Sequence, residues 1–221
     1  MTHRTLEQKG LLFGVLMLVV VLIGGIVEIV PLYAVKASVP PLEGVKPYSP
    51  LELDGRDIYI REGCYTCHSQ MVRPFRDEME RYGPYSKAGE YVYDRPFQWG
   101  SKRTGPDLQR LGGKYPDSWH YLHMKNPREI VPGSIMPAYP WLFTQQVDHS
   151  LVPAKMRALQ RLGVPYTDEE IANYAVAYFK QASSVETNIK AAGIKDDYQN
   201  TPEIIALIAY LQRLGSDIKW R

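Results

Sequence analysis

Residues 63–70, GCYTCHSQ, constrain this chain more than any other stretch, because they contain both of its cysteines. Cys64 and Cys67 are separated by two residues, and His68 follows directly. A disulfide framework uses more cysteines at wider spacings, and a thioredoxin-like site belongs to a βαβ pattern that this sequence does not show. Cys-x-x-Cys-His is the attachment signature of c-type haem, in which both thiols form thioethers and the histidine binds the iron. The motif therefore predicts one covalently bound haem c.

The remaining histidines leave a zinc site open as an alternative. A structural zinc site needs four ligands, so a second pair of ligands would have to join the two cysteines. His120 and His123 form such a pair, His-x-x-His. An incidental pair of reduced cysteines is the other alternative to haem.

A segment near the N-terminus is apolar enough to cross a membrane. Residues 10–27, GLLFGVLMLVVVLIGGIV, carry no charge, and Glu28 is the only charge before Lys36. Because about 20 apolar residues in a helix cross a bilayer core, we predict a transmembrane anchor over residues 10–35. A cleaved signal peptide is the alternative, since residues 35–37 loosely fit a cleavage site, but the apolar run is longer than a usual signal core.

The flanking charges predict the orientation of this anchor. Arg4 and Lys9 precede the apolar run, and positively charged flanks stay in the cytoplasm. Residues 1–9 are therefore predicted to be cytoplasmic, and the chain beyond Lys36 to lie in the periplasm, with the anchor in the inner membrane of a bacterium.

Glu28 is the one charge inside the predicted anchor. At about 1.5 Å per residue it lies near the outer boundary of the hydrocarbon, where a carboxylate reaches the wet interface. The alternative starts from Gly24 and Gly25, small residues that allow a second helix to approach closely. Glu28 would then face a partner helix and accept a hydrogen bond from it.

The rest of the chain has the composition of an ordinary folded domain. Residues 36–48 are rich in proline and predict a semi-rigid linker. Residues 49–221 are long enough for one domain with its own core. Strand-like alternation is scarce, so a mainly α-helical domain with long loops is predicted. The formal net charge of +2 and the lack of a basic run argue against binding to nucleic acid.

Capping signals and apolar periodicity predict three helices in this domain. The motif SPLE, which starts at Ser49, is a capping box with proline at the first helical position, and its helix runs to about Glu62. TDEE, which starts at Thr167, opens a second helix, and TPE at Thr201 opens a third that ends at Gly215. The apolar face of the second helix comprises Ile171, Tyr174, Ala175, Tyr178 and Phe179. That of the third comprises Ile204, Leu207, Ile208 and Leu211.

A second axial ligand of the haem is expected from Met136. This residue lies in VPGSIMPAYP, residues 131–140, where three prolines stiffen a loop that could hold a thioether at a fixed distance from iron. Met71 follows His68 too closely in the sequence to reach the far face of a haem.

Other residues compete with Met136 for this position. Met124 and Met156 are interpreted as flexible core residues rather than ligands. His120 and His123 are the rival sixth ligands, and a histidine there would lower the reduction potential, whereas methionine raises it.

Long motifs carry a resemblance to a known family. Residues 63–142, from GCYTCHSQ through TGPDL to VPGSIMPAYPWL, together with GGIVEIVPL in the anchor, resemble the monohaem subunit of cbb3-type cytochrome c oxidases. The resemblance covers nearly the whole chain. It implies a single transmembrane helix followed by a periplasmic class I cytochrome c domain with long loop insertions.

The resemblance also implies site residues and partners. Cys64 and Cys67 would hold the haem, His68 would be its proximal ligand and Met136 its distal ligand. The carbonyl of Pro106 would accept the Nδ1 proton of His68. The implied partners are a catalytic subunit with b-type haems and copper, a dihaem cytochrome c subunit, and a soluble cytochrome c as a further donor.

The residues themselves indicate a relay rather than a catalyst. One haem holds one electron, whereas the reduction of oxygen takes four. Both cysteines would bind the haem, so no cysteine remains to bind a dinuclear copper centre. No catalytic residue is therefore predicted in this chain. The main alternative, the monohaem subunit of a nitric oxide reductase, has the same architecture. A different class of protein would be a free-standing anchored cytochrome that shuttles electrons between complexes.

Two further expectations concern packing. Gly55 and Tyr59 lie one turn apart on the first predicted helix, as Leu207 and Tyr210 nearly do on the last, and cytochromes of the resembled class cross these helices closely at a small residue. Residues 71–99 are rich in arginine and aromatic rings, which is typical of protein interfaces; the alternative is a solvated loop that packs locally.

Overall fold

The computed structural model describes residues 3–34, 39–100, 102–195 and 201–218, and the chain divides into two compact units, Met1–Pro40 and Pro41–Arg221. In the first unit, α1 spans His3–Glu7 and α2 spans Gly10–Ala34. Within α2, Gly10–Pro31 has a mean hydropathy of 2.9 and is long and apolar enough to cross a membrane. The cleavage site at 35–37, which the signal-peptide alternative requires, lies outside the described residues.

The second unit is helical. Its helices are α3 (Pro50–Arg61), α4 (Arg76–Tyr82), α5 (Asp117–Lys125), α6 (Pro127–Ile130), α7 (Val152–Arg161), α8 (Asp168–Ala172), α9 (Tyr174–Ala191) and α10 (Glu203–Arg213). Short 3₁₀ turns form at Cys64–Thr66, Ala88–Glu90, Pro140–Phe143 and His149–Leu151. Apart from one isolated bridge between Gln146 and Pro202, the described residues form no β-structure, so the prediction of a mainly α-helical chain is confirmed.

The capping box predicted for the first helix of the domain is present in α3. The Ser49 side chain accepts a hydrogen bond from the backbone N–H of Glu52, and the Glu52 carboxylate accepts one from the N–H of Ser49 at 2.8 Å. Pro50 occupies the first helical position, where its missing N–H costs nothing. The helix ends at Arg61, which places the cysteine motif directly after it.

The core is built around the crossing of α3 and α10, and the predicted close approach at Gly55 is confirmed. A Cβ added at Gly55 would lie 2.8 Å from the Cβ of Tyr210 and would overlap the carbonyl oxygen of Ala206. The rings of Tyr59 and Tyr210 meet beside this crossing with centroids 5.3 Å apart. Helices α5 and α9 also pack against α10. As a result α10 is buried on every side from Glu203 to Leu211, not on one face as its periodicity predicted.

The second predicted helix is two helices in the structure. The Thr167–Glu170 capping box is present, but α8 ends at Ala172, and Asn173 separates it from α9. Because α9 begins anew at Tyr174, its buried face shifts, and it comprises Tyr178, Ala182, Val185 and Ile189. The expectation that Phe179 is buried was therefore wrong, since 47% of its surface is exposed.

Part of the predicted linker belongs to the domain. The backbone N–H of Lys46 donates to the carboxylate of Asp217 at 3.0 Å, and its carbonyl accepts from Arg213 at 2.7 Å. The C-terminal end of the segment 36–48 is therefore held against the domain by hydrogen bonds. Residues 36–38 lie outside the described part of the chain.

Candidate functional site

The two cysteines and His68 lie on one tight turn directly after α3. Gly63 begins it with a φ of +69°, a conformation that favours glycine. The backbone N–H groups of Cys67 and His68 both donate to the carbonyl of Cys64, at 3.2 and 2.9 Å. Both cysteines are free thiols. The turn thus presents two thiols and an imidazole from five consecutive residues.

The ring of His68 is clamped by the segment that contains Gly105 and Pro106. Nδ1 of His68 lies 2.8 Å from the carbonyl oxygen of Pro106. A Cβ added at Gly105 would lie 2.7 Å from Nδ1 and 2.9 Å from Nε2, so only glycine leaves room for the ring. The N–H of Gly105 also donates to the carbonyl of Cys67 at 2.9 Å. With Nδ1 held by a carbonyl, Nε2 is the nitrogen left to bind a metal.

Asp107 holds this clamp against the turn. Its carboxylate accepts hydrogen bonds from the hydroxyl of Ser69 at 2.6 Å and from the N–H of Met71 at 2.8 Å. The N–H of Leu108 donates to the carbonyl of Ser69 at 2.8 Å. Sequence reasoning missed both Gly105 and Asp107. Their only signal was their position on either side of Pro106 in the TGPDL motif.

Burial keeps the side chains of His68 and Cys64 neutral. Burial lowers the pKa of His68 from its ordinary value, and the hydrogen bond to the Pro106 carbonyl opposes this only in part. Burial, together with the nearby carboxylate of Glu62, raises the pKa of Cys64 to about 12. At neutral pH the imidazole is therefore in the neutral form that binds metals.

The loop of residues 131–140, which contains Met136, is anchored to α5. Met136 is half-buried and packs against the core, and its N–H donates to the hydroxyl of Ser134 at 3.2 Å. The N–H of Tyr139 donates to the carbonyl of Met124 at 3.0 Å. Met124 and Met156 are buried members of the core, which confirms their interpretation as core residues. Ligation by Met136 stays a prediction.

His120 and His123 do not form a zinc site with the cysteines. Among the residues that the structure describes, no group of three or more His, Cys, Asp or Glu side chains comes close enough to hold a metal ion. His120 is buried, and burial lowers its pKa to about 4. Zinc, which needs four ligands, therefore has no support in this part of the chain.

The residues present fit a haem c. Two neighbouring thiols can form the thioethers, and Nε2 of His68 can bind iron because Pro106 holds the opposite nitrogen. Gly105 leaves space for the imidazole ring of His68.

We expect Gly105→Ala to disturb the His68 ligand directly. The added methyl group would displace the imidazole and break its contact with Pro106, at a cost of about 1–3 kcal/mol for overpacking. The measurements are the haem content and the low-spin absorption spectrum of the purified full-length chain. Gly133→Ala is the control, since no atom lies within 4 Å of the added Cβ there. Identical spectra for both variants would contradict the clamp.

A comparison with protein-family models gives a match over nearly the whole chain. A family model described as "Cytochrome C oxidase, mono-heme subunit/FixO" matches residues 3–218. No curated protein matches the chain significantly. The family match includes the apolar helix, the cysteine turn, the Pro106 clamp and the Met136 loop.

Proposed function

Because the chain belongs to the FixO family of mono-haem subunits of cytochrome c oxidase, we propose that it relays single electrons within a cbb3-type oxidase. It takes them from a cytochrome c donor or a dihaem cytochrome c subunit and passes them to the subunit that carries haem b and copper, where oxygen is reduced to water. The observation that carries this proposal is the His68 ring, oriented by Pro106 beside two free thiols.

Each residue of the site has one role in this proposal. Cys64 and Cys67 would hold the haem covalently, and Nε2 of His68 and the sulfur of Met136 would be its iron ligands. The carbonyl of Pro106 selects the Nδ1–H tautomer of His68 and increases the basicity of Nε2. When bound, haem c supplies a one-electron iron couple.

The proposed place of the chain is the inner membrane of a bacterium. Helix α2 would cross it once, with Arg4 and Lys9 on the cytoplasmic side and the domain in the periplasm. The chain would supply no catalytic residue, because the oxygen chemistry belongs to its partner.

Residues 71–99 have two roles in this proposal. Some support the domain: Asp94 is buried and accepts from Arg56 at 2.6 Å, and the hydroxyl of Tyr91 donates to the carbonyl of Gln70 at 2.8 Å. Other rings face outward, and Phe75 and Tyr85 are 54% and 42% exposed. We propose that the outward rings contact a partner subunit, while the inward part packs locally.

We expect Glu28→Leu to weaken the binding of helix α2 to the other oxidase subunits without preventing insertion of α2 into the membrane. The change removes a polar group from an apolar helix, so insertion is retained or improved. If Glu28 faces a partner helix, the variant dissociates more readily from the complex during purification in detergent. Leu16→Ala, in the same helix, serves as the control. If equal amounts of the Glu28→Leu variant and the parent stayed in the complex, Glu28 would instead lie at the membrane–water interface.

Purification of the native complex tests the proposed function. We expect the chain to co-isolate with a multi-helix haem-copper subunit in a complex that consumes oxygen. The family match favours this over a nitric oxide reductase. Turnover of nitric oxide rather than oxygen would support the reductase, and isolation of the chain without partners would support a free-standing shuttle.

A further inference from the structure

A side-chain hydrogen bond joins the two segments that carry the proposed axial ligands. The indole Nε1–H of Trp141 donates to the carboxylate oxygen Oε2 of Glu62 at 3.0 Å. Glu62 directly precedes Gly63, where the cysteine turn begins. Trp141 directly follows the loop of residues 131–140 that contains Met136. The bond spans 79 positions of the sequence and therefore links the cysteine turn to the Met136 loop.

The Glu62 carboxylate is held in place by the helices of the core. Its other oxygen, Oε1, accepts a hydrogen bond from Nε of Arg61, the last residue of α3, at 2.9 Å. Arg61 also donates to the carboxylate of Glu203, the first residue of α10, at 2.6 Å. The acceptor of the Trp141 bond is thus connected to both helices whose crossing forms the core.

The backbone around Trp141 is held by the core as well. Trp141 belongs to the 3₁₀ turn Pro140–Phe143, in which Leu142 is fully buried. The ring of Phe143 meets that of Tyr121 on α5 edge to face, with centroids 4.7 Å apart. Because 40% of Trp141 itself is exposed, packing alone does not fix its indole, and the bond to Glu62 supplies that constraint.

We propose that Trp141 and Glu62 are positioning residues whose hydrogen bond keeps Met136 on the haem iron. This inference rests on the proposed function, because it requires Met136 as an axial ligand. A loop opens locally against the contacts that hold it closed. Each opening of the Met136 loop would release the thioether and leave its place on the iron to an added ligand. Loss of the bond therefore raises the open fraction, and with it the apparent affinity for a competing ligand.

Imidazole, which competes with methionine for ferric haem iron, measures this open fraction. In the purified full-length chain with its haem, we expect Trp141→Phe to raise the apparent affinity for imidazole about fivefold, because it keeps a ring but removes the donor. That factor corresponds to about 1 kcal/mol, the contribution of one hydrogen bond. Glu62→Ala should have the same effect from the acceptor side, since Arg61 keeps Glu203 as a partner. Loss of the methionine-to-iron absorption feature during the titration reports the exchange.

The double variant shows whether the two residues act through one bond. If they do, Trp141→Phe adds nothing in a Glu62→Ala background. Glu80→Ala is the matched control, because it removes the acceptor of another exposed side-chain bond, from Arg76 at 2.7 Å within α4. It should leave the imidazole affinity as in the parent. A bond that only stabilised the fold would change the midpoint of thermal unfolding and leave the imidazole affinity as it was.

Two results would overturn the proposal and leave the proposed function intact. The first is an unchanged imidazole affinity in Trp141→Phe and Glu62→Ala. The second is an equal effect of Trp141→Phe in both backgrounds, because the indole would then act through another contact. If Trp141→Phe loses its haem, Glu62→Ala alone decides whether the affinity changes. A parent chain without the methionine-to-iron feature would instead refute the role of Met136 in the proposed function, and this inference with it.

Discussion

Replacing Met136 with leucine is expected to abolish the methionine-to-iron absorption feature of the bound haem and to lower its reduction potential. Leucine has nearly the volume of methionine but no sulfur, so the change removes a ligand while costing less than about 1.5 kcal/mol in packing. An axial methionine raises the potential of a haem, and its loss therefore favours the ferric state. The measurement is a redox titration of the purified full-length chain, followed by its absorption spectrum.

Met124→Leu is the matched control for this experiment. Met124 is buried in the core, and the same change there should leave both the absorption feature and the potential as in the parent. If Met136→Leu kept both properties, ligation would pass to another methionine such as Met124, whereas a parent without the methionine feature would indicate one of the histidines of α5. A histidine ligand would also appear in the parent as a lower potential than methionine ligation gives.

Gly55→Ala is expected to cause the largest loss of stability of any single methyl addition considered. The new Cβ would overlap the carbonyl oxygen of Ala206, which belongs to the backbone of α10 and cannot move aside as a flexible side chain would. We expect a loss of about 3 kcal/mol or more in the free energy of unfolding, at the upper end for overpacking. In a domain of this size that lowers the midpoint of thermal unfolding by about 6–12 °C.

Gly133→Ala provides the comparison for Gly55→Ala. Gly133 has open space around it, so its replacement should leave the midpoint nearly unchanged. Circular dichroism of both variants during heating measures the difference. Equal midpoints would mean that α3 and α10 separate without cost, which is incompatible with a core built on their crossing.

Local signals in the sequence predicted the helix starts and the turn of the site. The capping boxes at Ser49 and Thr167 involve residues three positions apart, so their geometry does not depend on the rest of the fold. The cysteine turn is local for the same reason. The close approach at Gly55 could be predicted only because the resemblance indicated which two helices cross.

The features that were missed depend on distant parts of the chain. The break at Asn173 and the exposure of Phe179 follow from how α8 and α9 pack, which periodicity does not record. Gly105 is required by the ring of His68, 37 positions earlier in the sequence, and a glycine in a loop carries no local sign of such a contact.

The mass of the intact chain, separated from its partners under denaturing conditions, tests the central claim most directly. The account predicts the mass of the polypeptide plus one haem, and the bare polypeptide mass when both Cys64 and Cys67 are replaced by serine. Thioether bonds survive denaturation, so this result would place the haem on the two thiols of the turn. A parent chain with the bare polypeptide mass and two free thiols would contradict the account.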